Sequence, residues 1–363
     1  MTHIVQFANF YSPTSGGLRT TVDALGSGYE AAGLRRSLVV PHIAAAPGDP
    51  PTATWALPSL AVPGAPYRVV RSSRSILRAL DALEPDRVEV HDKLHAAAIG
   101  RWARRRGVPA VLVSHERLDV ILAPRLPRSL PLSALVDRWN ERLVAAFDTI
   151  VCASRYAGAE LERVGASVTR IPLGVDLSVF HPDAGAPSCS PQLAMVGRLS
   201  KEKCPDLAIE AFARAHAAGV AAELVVIGDG PLRGVLERRA TGLPVRFVGH
   251  ESSRRVVASV LASSSALLAP CPIETFGLSV LEAMACGTPP IVPDEGAAPE
   301  LIAHGAGVVV PHDPTPFAAA IADIVDQRST RMRVAARARA VAHPWSSTID
   351  RMLAIHDGAG LPC

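Results

Sequence analysis

Short apolar runs without polar alternation recur along the chain, at His3–Phe7, Ser37–Val40, Arg87–His91, Ala110–Ser114, Thr149–Ala153, Leu193–Val196, Leu224–Ile227, Val245–Val248, Ala266–Ala269 and Pro290–Val292. Between them, amphipathic stretches such as Ser75–Leu83, Ala97–Arg106, Asp206–Ala217 and Leu232–Ala240 repeat their apolar positions at helical spacing. Short strands that are apolar on both sides and alternate with helices predict parallel sheets covered on both faces. Ten strands are too many for one such sheet with a single switch point, so the expected fold class is α/β with two doubly wound domains. His181–Pro191 carries three prolines and no periodicity, and is the expected linker. That places an N-terminal domain at 1–180 and a C-terminal one at 192–343, with a last helix near 344–357. No internal repeat is visible.

Composition narrows the class. Hydrophobic residues at 48% and charged residues at 20% of 363 exclude a disordered chain. A net charge of +3 excludes a dedicated nucleic-acid binder, which needs a clear basic excess. The six cysteines form no CxxC pair and no CxxH spacing, so no zinc site and no metal is expected, and reduced cytoplasmic thiols are. The N-terminus has no basic region followed by an apolar one, and the uncharged stretch Val256–Ile273 is broken by Pro270 and Pro272. A soluble, cytoplasmic protein is therefore expected.

Charge is uneven. Residues 1–180 hold 21 Lys and Arg against 16 Asp and Glu; residues 181–363 hold 16 against 18. Arg71, Arg74 and Arg78 are spaced to share one helix face. The plain reading is a solvated face; the sharper one is docking on the anionic inner face of a membrane.

Four loops and one histidine follow expected strands. Ser12–Gly17 ends in the pair Gly16-Gly17 before a helix, which suits close approach of an anion such as diphosphate, although an ordinary turn uses glycine too. Gly228-Asp229-Gly230 tempts a dinucleotide reading, but the third glycine of that fingerprint is Arg233 here. In Val196–Lys203, Arg198 and Lys203 would stand at the carboxyl edge of the sheet, where two fixed cations neutralise a diphosphate. In Pro270–Glu282, Glu274 falls in the loop, while Glu282 lies a little over a turn into a helix starting after Gly277. A carboxylate there grips a cis-diol by accepting two hydrogen bonds. His115 ends a strand. Of the 37 basic residues only Lys93, Lys201 and Lys203 are lysine, which singles out the loop holding the last two.

Taken in this order, the motifs resemble those of the retaining glycosyltransferases of family 4. The marks are Glu274 and Glu282 at E-x7-E spacing, Gly197-Arg198-Leu199 with Lys203, Gly16-Gly17, and Pro172-Leu173-Gly174-Val175-Asp176 leading to Phe180. A closer likeness is to mycobacterial GDP-mannose-dependent mannosyltransferases acting on phosphatidylinositol mannosides. It is carried by Ala8–Tyr11 with Ser15–Thr20, Ser114–Asp119 and Ala240–Pro244.

The resemblance implies a GT-B fold, two Rossmann-like domains facing across a cleft, the first for the acceptor and the second for the donor. It implies metal-independent transfer of mannose from GDP-mannose to a lipid or glycan hydroxyl, with no cofactor beyond the nucleotide-sugar. Gly16 and Gly17 would meet the diphosphate or acceptor, and Arg198 and Lys203 the leaving group. Glu274 and the backbone from Phe276 through Gly277 to Leu278 would hold the sugar, and Glu282 the ribose. Gly230, Val248 and Gly249 would flank the base, His115 would contact the sugar near its C6 hydroxyl on the acceptor side, and Tyr11 with Gly17 and His115 would bind the acceptor. A UDP-glucose or UDP-GlcNAc transferase, a nucleotide-sugar epimerase and a non-catalytic binding protein remain open alternatives.

Overall fold

The computed structural model describes every residue except 13–15, 43–53, 63–66, 128, 186–189, 304, 328–329 and 359–363. Pro13 to Ser15 of the first glycine loop and the middle of the expected linker therefore lie outside the described residues.

The chain divides into two compact units, Met1–Leu173 with Ser346–Cys363, and Gly174–Trp345. Residues 174–180 group by contacts with the second unit, and the last helix groups with the first.

In the first unit the strands are β1 (His3–Phe7), β2 (Arg35–Pro41), β3 (Thr54–Leu57), β4 (Ser59–Ala61), β5 (Arg68–Val70), β6 (Arg87–Val90), β7 (Ala110–Ser114), β8 (Thr149–Cys152) and β9 (Val168–Arg170). Seven of them form a sheet in the order β3-β2-β1-β6-β7-β8-β9, with every pairing parallel. β4 and β5 pair antiparallel by themselves. The winding reverses between β1 and β6, which defines the switch point. Val5 and Phe7 of β1 join a large core with Val88 and Val90 of β6. The opposite face packs Ile4, Val111, Val113 and Val151 against Leu25 and Tyr29 of helix Gly16–Ala31 and Met352 of helix Trp345–His356. These two helices lie so close that a Cβ at Gly28 would sit 2.6 Å from Ile349.

The second unit holds β10 (Gln192–Val196), β11 (Glu223–Ile227), β12 (Val245–Gly249), β13 (Ala266–Leu268), β14 (Pro290–Pro293) and β15 (Val308–Val310). Their order is β12-β11-β10-β13-β14-β15, again all parallel, with the switch point between β10 and β13. The core is built on Leu193, Met195, Leu224, Val226 and Phe212.

All ten strands expected from the apolar runs are present. The helix expected to carry three arginines is Ser73–Leu83, capped by Ser72, whose hydroxyl accepts from the Arg74 N–H. Arg71 therefore precedes the helix, and its N–H bonds the Pro58 carbonyl; only Arg74 and Arg78 share the face. All three side chains are exposed. Among the described residues no helix is long and apolar enough to cross a membrane.

Candidate active site

In the second unit the chemistry gathers at the switch point. The loop after β10 ends in the short turn Lys201–Lys203, and the loop after β13 leads into helix Leu278–Ala285. Lys203 Nζ donates to Glu274 Oε2 at 2.6 Å, so these adjacent strand ends are joined by a cation and a carboxylate. Burial works to strip the proton from Lys203, and the Glu274 carboxylate more than reverses it, holding the amine above its ordinary value. Arg198 Nη1 lies 4.0 Å from Glu202 Oε1, which the Ser200 hydroxyl also reaches at 2.7 Å. Lys201 is exposed.

Glycine explains how the loops fit. Gly228 adopts φ +140°, and a Cβ there would fall 1.9 Å from the Gly197 carbonyl oxygen. A Cβ at Gly230 would come within 2.5 Å of the Leu199 oxygen. Leu199 N–H bonds Asp229 O, and Leu232 N–H bonds Leu199 O. The Gly-Asp-Gly sequence thus serves backbone-on-backbone packing beside the Arg198 loop.

The helix begins at Leu278 after Gly277 at φ +100°. Phe276, Val280, Leu281 and Met284 are buried, which fixes the helix and turns Glu282 toward Arg254. Arg254 Nη2 stands 3.7 Å from Glu282 Oε1 and its Nη1 3.7 Å from Asp176 Oδ2, while the guanidinium covers the Phe180 ring at 5.1 Å. Burial pushes the Glu282 carboxyl up to about 7, against the pull of Arg254. Arg254 had no sequence signal beyond its charge. Val248 is exposed and Gly249 buried at the end of β12.

In the first unit, helix Gly16–Ala31 opens on the glycine pair, and a Cβ at Gly16 would meet nothing within 4 Å. Tyr11 is buried, and its hydroxyl donates to Asp23 Oδ1 at 2.8 Å; burial, with Asp23 adding to it, pushes the phenol up to about 12. His115 follows β7 and is half-buried. One of its neighbours is His91, with His91 Nδ1 and His115 Nε2 2.9 Å apart and ring planes within 13°. Burial, with His91 adding to it, pushes His115 down to about 3, so the ring is neutral at physiological pH.

Behind the pair lies a buried polar network that the sequence reading missed. Glu89 Oε1 accepts from Gln6 Nε2 at 2.7 Å and meets His91 Nε2 at 2.6 Å. Its Oε2 accepts from the Tyr29 hydroxyl at 2.6 Å and meets His356 Nε2 at 3.0 Å. Burial opposes ionisation of Glu89, but His91 and His356 outweigh it and hold the carboxyl well below the usual range. Arg36 Nε closes the far end on Gln6 Oε1 at 2.7 Å. A signal existed: Glu89 interrupts an apolar run, and a period of two puts Glu89 and His91 on one face beside Gln6. A second buried group joins Lys93 to Glu160, and beside it burial pushes Glu116 up to about 7, with Lys93 pulling the other way.

Two doubly wound parallel sheets, each with charged groups beside its switch point, are the architecture of the GT-B class. The fold is shared along 99% of both chains with sucrose-phosphate synthase from Thermosynechococcus elongatus, at TM-score 0.81 and 21% identity. It is shared along 98% of this chain and all of the other with a glycosyltransferase of lipopolysaccharide biosynthesis, at TM-score 0.76 and 18% identity. Residues 15–179 match the Glycosyltransferase Family 4 model and residues 179–341 the model for glycosyl transferases group 1, so the chain belongs to the family 4 glycosyltransferases. It is 42% identical, over 97% of its length and 95% of the relative's, to a GDP-mannose-dependent alpha-(1-6)-phosphatidylinositol dimannoside mannosyltransferase of Mycobacterium tuberculosis. It is 29% identical, over 79% and 74%, to a D-inositol 3-phosphate glycosyltransferase of Nocardiopsis dassonvillei.

Proposed function

We propose that this glycosyltransferase moves mannose from GDP-mannose to a hydroxyl of a phosphatidylinositol mannoside or related glycolipid, with retention and without a metal. The carrying observation is the contact of Lys203 with Glu274 across the second unit's switch point, beside Arg198. The relative at 42% identity supports the choice of donor and acceptor.

In this reading Arg198 and Lys203 neutralise the diphosphate while the anomeric C–O bond lengthens toward an oxocarbenium-like state. Glu274 holds the sugar, Glu282 takes the ribose hydroxyls, and Gly230, Val248 and Gly249 lie by the base. The departing phosphate oxygen accepts the acceptor's proton, and the new C–O bond forms on the face the phosphate leaves. The cations Arg198 and Lys203 fill the role a divalent metal has elsewhere. In the first unit, Gly16 and Gly17 approach the diphosphate or acceptor, His115 touches the sugar near its C6 hydroxyl, and Tyr11 takes part in holding the acceptor. The exposed Arg71, Arg74 and Arg78 hold the enzyme on anionic lipid, giving a peripheral location on the inner face of the membrane.

Thermal shift with GDP-mannose, UDP-glucose and UDP-GlcNAc tests the donor, since tight binding raises apparent stability. Mass spectrometry with a phosphatidylinositol dimannoside acceptor tests the transfer. Stabilisation by a UDP-sugar alone, or isomerised sugar without acceptor, would overturn this reading.

A further inference from the structure

The loop after β7 carries His115, and two buried side chains, Lys93 and Glu160, hold the backbone that follows it. Glu160, on helix Arg155–Glu162, accepts from the Leu118 N–H at Oε1 and from the Asp119 N–H at Oε2, both at 3.1 Å. Lys93, on the loop after β6, donates from Nζ to Glu160 Oε1 and, at 3.1 Å, to the Glu116 carbonyl. Its own N–H bonds Glu116 Oε1 at 3.3 Å. The lysine's backbone is itself anchored: the neighbouring buried Asp92 accepts from the Asn9 N–H at 2.6 Å and the Leu94 N–H at 3.0 Å. Of the chain's three lysines, Lys93 is the one that is fully buried. A buried lysine–carboxylate pair regains little beyond the cost of desolvating it, and apolar side chains of the same size often hold a core as well. What an apolar pair cannot do is accept two backbone N–H groups and donate to a backbone carbonyl.

We propose that Lys93 and Glu160 are positioning residues for the transfer: together they clamp the backbone of Glu116, Leu118 and Asp119, and so set where His115 stands against the sugar. This rests on the reading of His115 as a sugar-contacting residue. Being buried, the two side chains act through the loop and not on substrate. A support of this kind holds a site to the fraction of an ångström that transfer needs.

Amide exchange and kinetics test it together. Glu160→Asp keeps the charge but draws the carboxylate back by one methylene, and is expected to speed exchange of the Leu118 and Asp119 amides on the order of 10-fold. Unchanged exchange at both amides overturns the clamp, whatever the activity. With GDP-mannose and the dimannoside acceptor, the same variant is expected to lower kcat on the order of 100-fold, with little change in GDP-mannose affinity by calorimetry. Lys93→Met/Glu160→Gln removes both charges at similar volume, and is expected to melt close to the wild-type temperature while kcat stays low. Turnover that returns along with the melting temperature makes the pair a support of the fold alone and overturns the proposal. In a His115→Ala background, Glu160→Asp is expected to add nothing further; an equal loss in both backgrounds also overturns it. Full activity in His115→Ala overturns instead the sugar-contact reading, and the exchange rates then decide the clamp alone.

Discussion

Lys203 Nζ and Glu274 Oε2 stand 2.6 Å apart, one on the loop after β10 and the other on the loop after β13. Each is held by the other before any donor arrives. The cation is thus placed at the switch point without a long, freely moving side chain to order.

Loss of that cation is expected to be felt in turnover. Lys203→Ala should lower kcat by about 100- to 1000-fold, with a far smaller change in melting temperature, since the side chain lies at the edge of the core. Unchanged turnover would remove Lys203 from leaving-group stabilisation. Glu274→Ala and Lys203→Ala should combine less than additively, as contacting residues do.

Donor binding should depend on pH through Glu282. Its carboxyl sits at about 7 in the folded chain, and only the ionised form offers both oxygens to a diol. GDP-mannose affinity, measured by calorimetry, is expected to weaken as pH falls through about 7. In Glu282→Gln that dependence should disappear. Arg254→Ala removes the cation that favours the ionised form and should move the midpoint upward. A pH profile that is the same in all three proteins would sink the ribose role.

Two glycines should respond in opposite ways. Gly228→Ala places a methyl 1.9 Å from a backbone oxygen and should destabilise the second unit by several kcal/mol, about 3 or more. Gly16→Ala meets open space and should leave the melting temperature unchanged while weakening turnover. Full activity in Gly16→Ala would show that no ligand approaches that position closely.

Vesicle binding separates a solvated arginine face from a docking one. Replacing Arg71, Arg74 and Arg78 by Gln should cost about 1 kcal/mol each on anionic vesicles, close to a 100-fold loss in sedimentation assays. Neutral vesicles should show no difference. Equal binding of both proteins to anionic vesicles leaves the arginines as solubilising charge alone.

The elements legible in the sequence were those buried on both faces. β7, β11 and β14 read as apolar runs because nearly every position is buried on both faces. β4, β9 and β15 passed unread because they are three residues long and mostly half-exposed, leaving no run to see. Lys203, Glu274 and Glu282 were legible because spacing along one loop and one helix carries their pattern. Arg254 and the partners of Glu89 were not, since they come from separate elements and meet only after folding.

Helix Trp345–His356 gives the first unit a delayed completion. Val175 N–H bonds the His343 carbonyl, so the second unit begins and ends at neighbouring positions and interrupts the first like an inserted clause. During synthesis, His356 emerges only after the whole of the second unit. Until then Glu89 is short of one of its four partners and Gly28 of its packing against Ile349. The half of the enzyme translated first is therefore the half whose interior closes second.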